Sequence, residues 1–94
     1  MSNTHDNKVK EISKDLSKKG WEVEADVPGY KTPEGIGKDG YIPDIHAIKG
    51  VKERIIEVDT PNTIDSSQLR AFRQSASHRK NAEFEHVITR AKRK

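Results

Sequence analysis

The chain contains no cysteine. That excludes disulfide staples, thiolate metal sites and cysteine nucleophiles. Apolar residues are also scarce, at 31% of 94 against 35% charged, and aromatics are only 5%. A chain of this length and composition is expected to make one domain, residues 1–94, around one thin core. A small α/β fold with one sheet and two or three helices suits that amount of apolar surface. No apolar run approaches the roughly 20 residues needed to span a bilayer. The start, Met1-Ser2-Asn3-Thr4-His5-Asp6, is polar and has no signal-peptide apolar region. The expectation is a cytoplasmic protein with no membrane partner.

What is present is charge, unevenly placed. The net charge is +3, yet residues 68–80 carry Arg70, Arg73, Arg79 and Lys80 with no acidic residue. The tail Arg90-Ala91-Lys92-Arg93-Lys94 is nearly all cationic. Such clusters suit phosphate backbones, and they equally suit a solvated helix face and a frayed tail.

The periodicity supplies the elements. Val9, Ile12 and Leu16 form one stripe of a helix over about 5–19, stopped at Gly20. Trp21 to Val27 alternates apolar and acidic residues, as a half-buried strand does. Residues 28–40 hold four glycines and two prolines and form a long loop, in which Lys31 and Lys38 are further candidates for phosphate contact. Tyr41–Ile48 is a second strand, Lys49-Gly50-Val51-Lys52 a tight turn, and Arg54–Asp59 a third strand whose Ile55, Ile56 and Val58 suit a central position. Asp65 caps a second helix that runs to about residue 78, with Leu69, Phe72 and Ala76 as its stripe. A fourth strand alternates through Phe84, His86 and Ile88. The order is α-β-β-β-α-β, one mixed sheet with helices packed on it.

Two acidic residues interrupt apolar, β-prone runs: Asp44 in Ile42-Pro43-Asp44-Ile45, and Glu57 in Ile55-Ile56-Glu57-Val58-Asp59-Thr60. A carboxylate in such a run costs free energy unless a cation compensates it. On strands joined by a tight hairpin the pair suggests a divalent-metal site. Asp44, Glu57 and the Val58 carbonyl would supply oxygens to Mg²⁺ or Mn²⁺. The plainer alternative has Asp44 ending a strand and Glu57 facing solvent at a sheet edge. His46 shares Asp44's face and is either a ligand or base, or a partly buried, hydrogen-bonded histidine. His78 and His86 belong to no evident constellation, and His5 lies in a stretch expected to fray.

The Pro-Asp pair, the Glu57-Val58-Asp59 run 13 residues later, the following helix and the element order together resemble the PD-(D/E)xK nuclease superfamily over nearly the whole chain. The layout is similar to archaeal Holliday-junction resolvases and related small restriction-endonuclease-like proteins. The resemblance implies a metal-dependent deoxyribonuclease with Asp44, Glu57 and Asp59 at the metal. It also implies Glu11 of the first helix as a supporting carboxylate, unless Glu11 is an ordinary exposed helix residue. Gln68-Leu69-Arg70-Ala71-Phe72 looks like the QLxxY motif of exonuclease branches, with phenylalanine for tyrosine; Gln68 is otherwise only a capping partner of Asp65. The departure is Asp59, which stands where the family places lysine. Activity would then need a cation from Lys38, Lys49, Lys52 or Arg70. A junction-cleaving enzyme would work as a homodimer. Without such a cation, the expectation shifts to a catalytically inactive nucleic-acid-binding module, or to an accessory protein that keeps the fold alone.

Overall fold

The computed structural model describes residues 4–36, 40–61 and 63–89. The elements are α1 (Thr4–Lys18), β1 (Glu22–Ala25), β2 (Ile45–Lys49), β3 (Lys52–Asp59), α2 (Ser66–His78) and β4 (Ala82–Ile88). The α-β-β-β-α-β order is the one expected. The sheet order is β1-β2-β3-β4, antiparallel up to β3 and parallel between β3 and β4. The parallel step follows from α2, which carries the chain back across the sheet before β4 begins. Among the described residues no helix is long and apolar enough to cross a membrane.

The core has two layers, one on each side of the sheet. Alternation decides which residue enters which. Ile45, Ala47, Ile56 and Val58 pack with Val9 and Leu16 of α1. Ile55 points the other way, into a cluster with Phe72 and Ala76 of α2, and Phe84 of β4 packs against it. Phe72 is fully buried and meets the rings of Tyr41 and Phe84 at 6.3 and 6.0 Å between centroids. Truncating it to alanine is expected to cost about 3–5 kcal/mol.

The turns obey their local chemistry. Lys49 pairs with Lys52, and Gly50 between them has φ +61°, where a side chain would be strained. Asp65 caps α2, its carboxylate accepting from the backbone N–H of Ser67 and Gln68. Several expected boundaries move: β1 is shorter than Trp21–Val27, and β3 begins at Lys52 rather than Arg54. The second strand begins at Ile45 rather than Tyr41, because Tyr41 forms an isolated bridge with Ile36 instead. The first helix begins by Thr4, so His5 belongs to an ordered turn rather than a frayed start.

Candidate functional site

Asp44 stands one residue before β2, and its carbonyl accepts from the Asp26 N–H, so the strand pleat continues through it. Because Ile45 and Ala47 face α1, His46 faces the α2 side. On β3 the same alternation sends Ile55, Glu57 and Asp59 to that side. On β4, Phe84 and His86 share it. Glu57 and Asp59 therefore share one face, and Asp44 stands beside them at the end of the sheet where β2 stops and β3 runs on, its carboxylate turned to the Val58 N–H and within reach of α1.

Hydrogen bonds tie Asp44 to Glu57 and Val58 of β3. The Val58 N–H donates to Asp44 Oδ2 at 2.8 Å, and the Asp44 N–H lies 3.3 Å from Glu57 Oε1. A residue's N–H and C=O leave a strand on the same side. The Val58 carbonyl thus faces the gap beside Asp44, while the Asp59 carbonyl, one residue on, accepts from Thr89 beside β4. Glu57 is 6% exposed and Asp59 5%. Glu57 is thus not the solvent-facing edge residue of the plainer alternative; it is buried on a central strand. Burial pushes its carboxyl up to about 8, with the negative charges of Asp44 and Asp59 adding to the effect. A hydrogen bond with the Asp44 side chain contributes in the same direction. At neutral pH a proton held by Glu57 relieves the repulsion that a cation would otherwise relieve.

The residue that α1 brings here is His5, not Glu11. His5 Nε2 is 3.1 Å from Asp44 Oδ2. Burial opposes a charge on this imidazole, but hydrogen bonds and charge from Asp6 and Asp44 outweigh it and raise its pKa above 6.5. Glu11 lies six positions further along the helix, mostly exposed, and pairs with Lys8 at 3.1 Å. Six residues turn a helix by 600°, which points Glu11 away from the stripe that His5 and Val9 share.

Asp59 is also differently employed. Its Oδ1 accepts from the Thr63 hydroxyl at 3.0 Å, and its Oδ2 is 2.9 Å from His86 Nε2. Both oxygens are engaged, one by the loop into α2 and one by β4. As placed, no group of three or more His, Asp or Glu side chains among the described residues is spaced to hold a metal ion. The donors that fit an oxygen-seeking cation are Asp44, Glu57 and the Val58 carbonyl; two carboxylates and a carbonyl leave room for waters and a phosphate.

Among the described residues, the expected cations do not reach the cluster. Lys38 lies outside the described residues, as does the 90–94 tail. Lys49 donates to the Lys19 carbonyl. Lys52 and Arg70 are exposed, and among the described residues no lysine or arginine pairs with Asp44, Glu57 or Asp59. Arg79 is engaged by Glu53, so it is not a free phosphate contact. His46 also turns away, with Nε2 on Glu53 and Nδ1 3.7 Å from Glu24. Lys31 lies 4.0 Å from Glu24.

Arg70 and Arg73 stay on the outer side of α2, along a groove of about 570 Å³ that Ser66, Leu69, Gln74 and Ser77 complete. Arg73 also covers the Phe84 ring, 5.7 Å from its centroid. Lys80 is exposed beyond the helix end, and Gln68 is half-buried in the first turn of α2. A second groove of about 510 Å³, lined by Ile12, Trp21, Arg54 and Glu85 among others, opens on the opposite face and takes no part in the carboxylate cluster.

Sequence reasoning missed His5 and His86. A signal for His86 existed: a parallel strand alternating Phe84, His86 and Ile88 beneath α2 must put His86 on the face of Glu57, its register partner. Comparison with protein-family models, curated proteins and solved structures finds no match to this chain.

Proposed function

We propose that this chain is a cytoplasmic, divalent-metal-dependent nuclease of the PD-(D/E)xK kind, hydrolysing phosphodiester bonds of nucleic acid, with DNA as the expected substrate. The observation that carries the reading is Glu57. It is a buried carboxyl on a central strand, pushed up to about 8 by burial and by two neighbouring carboxylates, with no lysine or arginine partner among the described residues. Asp44, Glu57 and the Val58 carbonyl would hold Mg²⁺ or Mn²⁺. The ion when bound would polarise the phosphate and offset its developing charge. Arg70, Arg73 and Lys80 would grip the backbone without reading bases. In the reaction a water oxygen bonds to phosphorus, the phosphorus–oxygen ester bond breaks, and the departing sugar oxygen takes up a proton. A junction-cleaving form would act as a homodimer.

A second reading rests on a separate observation. Asp59, in the place of a catalytic lysine, is tied by both oxygens to Thr63 and His86, which suits a nucleic-acid-binding module that does not cut. Incubation with branched, duplex and single-stranded DNA in Mg²⁺ or Mn²⁺, beside Asp44→Asn and Glu57→Gln, separates the two. Metal-dependent cutting lost in both variants supports the nuclease. Salt-sensitive binding with no cutting, unchanged in both variants, supports the module.

A further inference from the structure

The Asp59–His86 pair has no function in the reading above beyond tying β4 to the loop that leads into α2. Its chemistry offers more. A carboxylate oxygen accepts, so the 2.9 Å contact with Asp59 Oδ2 is satisfied by the tautomer that carries its ring proton on His86 Nε2. In the neutral ring Nδ1 is then an acceptor, and it has no protein partner among the described residues. The ring is held from below by a carboxylate that is itself fixed by Thr63, and its side chain is 18% exposed. His86 is the register partner of Glu57 on the adjacent strand, on the same face. The arrangement is a buried carboxylate, an oriented imidazole and an open acceptor nitrogen, on the strand position that pairs with Glu57.

We propose that His86, with Asp59 as its positioning residue, holds the attacking water by a hydrogen bond to Nδ1. The inference rests on the reading that Asp44 and Glu57 take a divalent cation. It gives Asp59 a purpose that a lysine at that position could not serve. A cationic side chain there would compete with Nε2–H rather than accept from it, and would leave the ring unoriented.

The test uses the intact chain and Mn²⁺. In the wild-type protein, ring-proton NMR signals of His86 should broaden at substoichiometric Mn²⁺, while those of exposed His78 stay sharp. His86→Gln should bind Mn²⁺ with unchanged affinity by calorimetry and lower kcat on DNA by about a hundredfold with little change in KM. Asp59→Asn should lower kcat in the same direction by less. Bound Mn²⁺ that leaves His86 sharp, or a His86→Gln protein that cuts at the wild-type rate, overturns this inference and leaves the metal site standing. Absence of Mn²⁺ uptake by the wild-type protein overturns both.

Discussion

Glu53 and Glu57 lie four residues apart on β3, on the same face of the sheet, and both are largely withdrawn from solvent. Their surroundings drive them in opposite directions. Burial raises the Glu53 carboxyl, but hydrogen bonds from His46 and Arg79 and the charge of both outweigh it, and its pKa falls below the ordinary 4.5. Glu57 has burial and two like charges, and rises to about 8. One end of the strand carries its own counter-charge and is complete; Arg79, just past α2, clamps the helix end to the sheet there. The other end gathers three carboxyl groups that meet only the histidines His5 and His86, with no lysine or arginine partner among the described residues. Two glutamates on one face of one strand are thus told apart only by what the rest of the fold brings to them. The incomplete end is where an outside cation has the most to gain.

The largest expected effect tests whether that end is a metal site. Glu57→Gln and Asp44→Asn should each weaken Mn²⁺ binding at least about 100-fold, as read by calorimetry, since even residues that only support metal ligands cost 10–100-fold. Replacing Glu53 by glutamine should leave Mn²⁺ affinity unchanged. Wild-type uptake near pH 7 should also release about one proton, the one Glu57 gives up, seen as a dependence of the binding heat on buffer ionisation.

The next effect is on stability against pH. The folded state binds the Glu57 proton more tightly than the unfolded chain does, so stability should fall as pH rises from about 4.5 towards about 8. Each unit of such a shift is worth about 1.4 kcal/mol, so Glu57→Gln should gain several kcal/mol on the wild type at pH 9 relative to pH 4. Glu53 has the opposite sign. Its contribution is present above 4.5 and lost as pH drops through the lowered value. Chemical denaturation across pH would resolve both limbs. Wild-type stability that is flat between pH 5 and 8 would remove the basis of the contrast.

A smaller effect should follow from making the complete end resemble the other. Arg79→Ala leaves Glu53 with His46 alone; since Arg79 is partly exposed, the expected loss is about 1 kcal/mol, measured by denaturation at neutral pH. The smallest concerns Glu57 itself. By carboxyl NMR, Asp44→Asn should bring its pKa down further than Asp59→Asn does, because Asp44 is the stronger of the two charges acting on it.

The element order was readable from the sequence because it is written in local patterns: the Val9, Ile12 and Leu16 stripe, the Asp65 cap, the glycine at the hairpin. Asp44 and Glu57 were readable for a related reason, since a charge inside an apolar run is conspicuous. The histidines were not. His5 meets Asp44 across 39 positions and His86 meets Asp59 across 27; the alternation of β4 gives the face of His86 but not its partner, and nothing near His5 points to Asp44. Their partners follow only from how α1 lies on the sheet and from the parallel register of β4. Glu11 shows the reverse failure. Its spacing matched a family pattern, but its direction around the helix did not.

β4 borders the sheet on the side away from β3, and among the described residues no strand pairs with its outer row of backbone groups. Glu83 and Glu85 stand exposed along it. A second strand laid against this border in register would bring like charges face to face, so the same residues that contribute little to the core also discourage these molecules from stacking into open-ended aggregates.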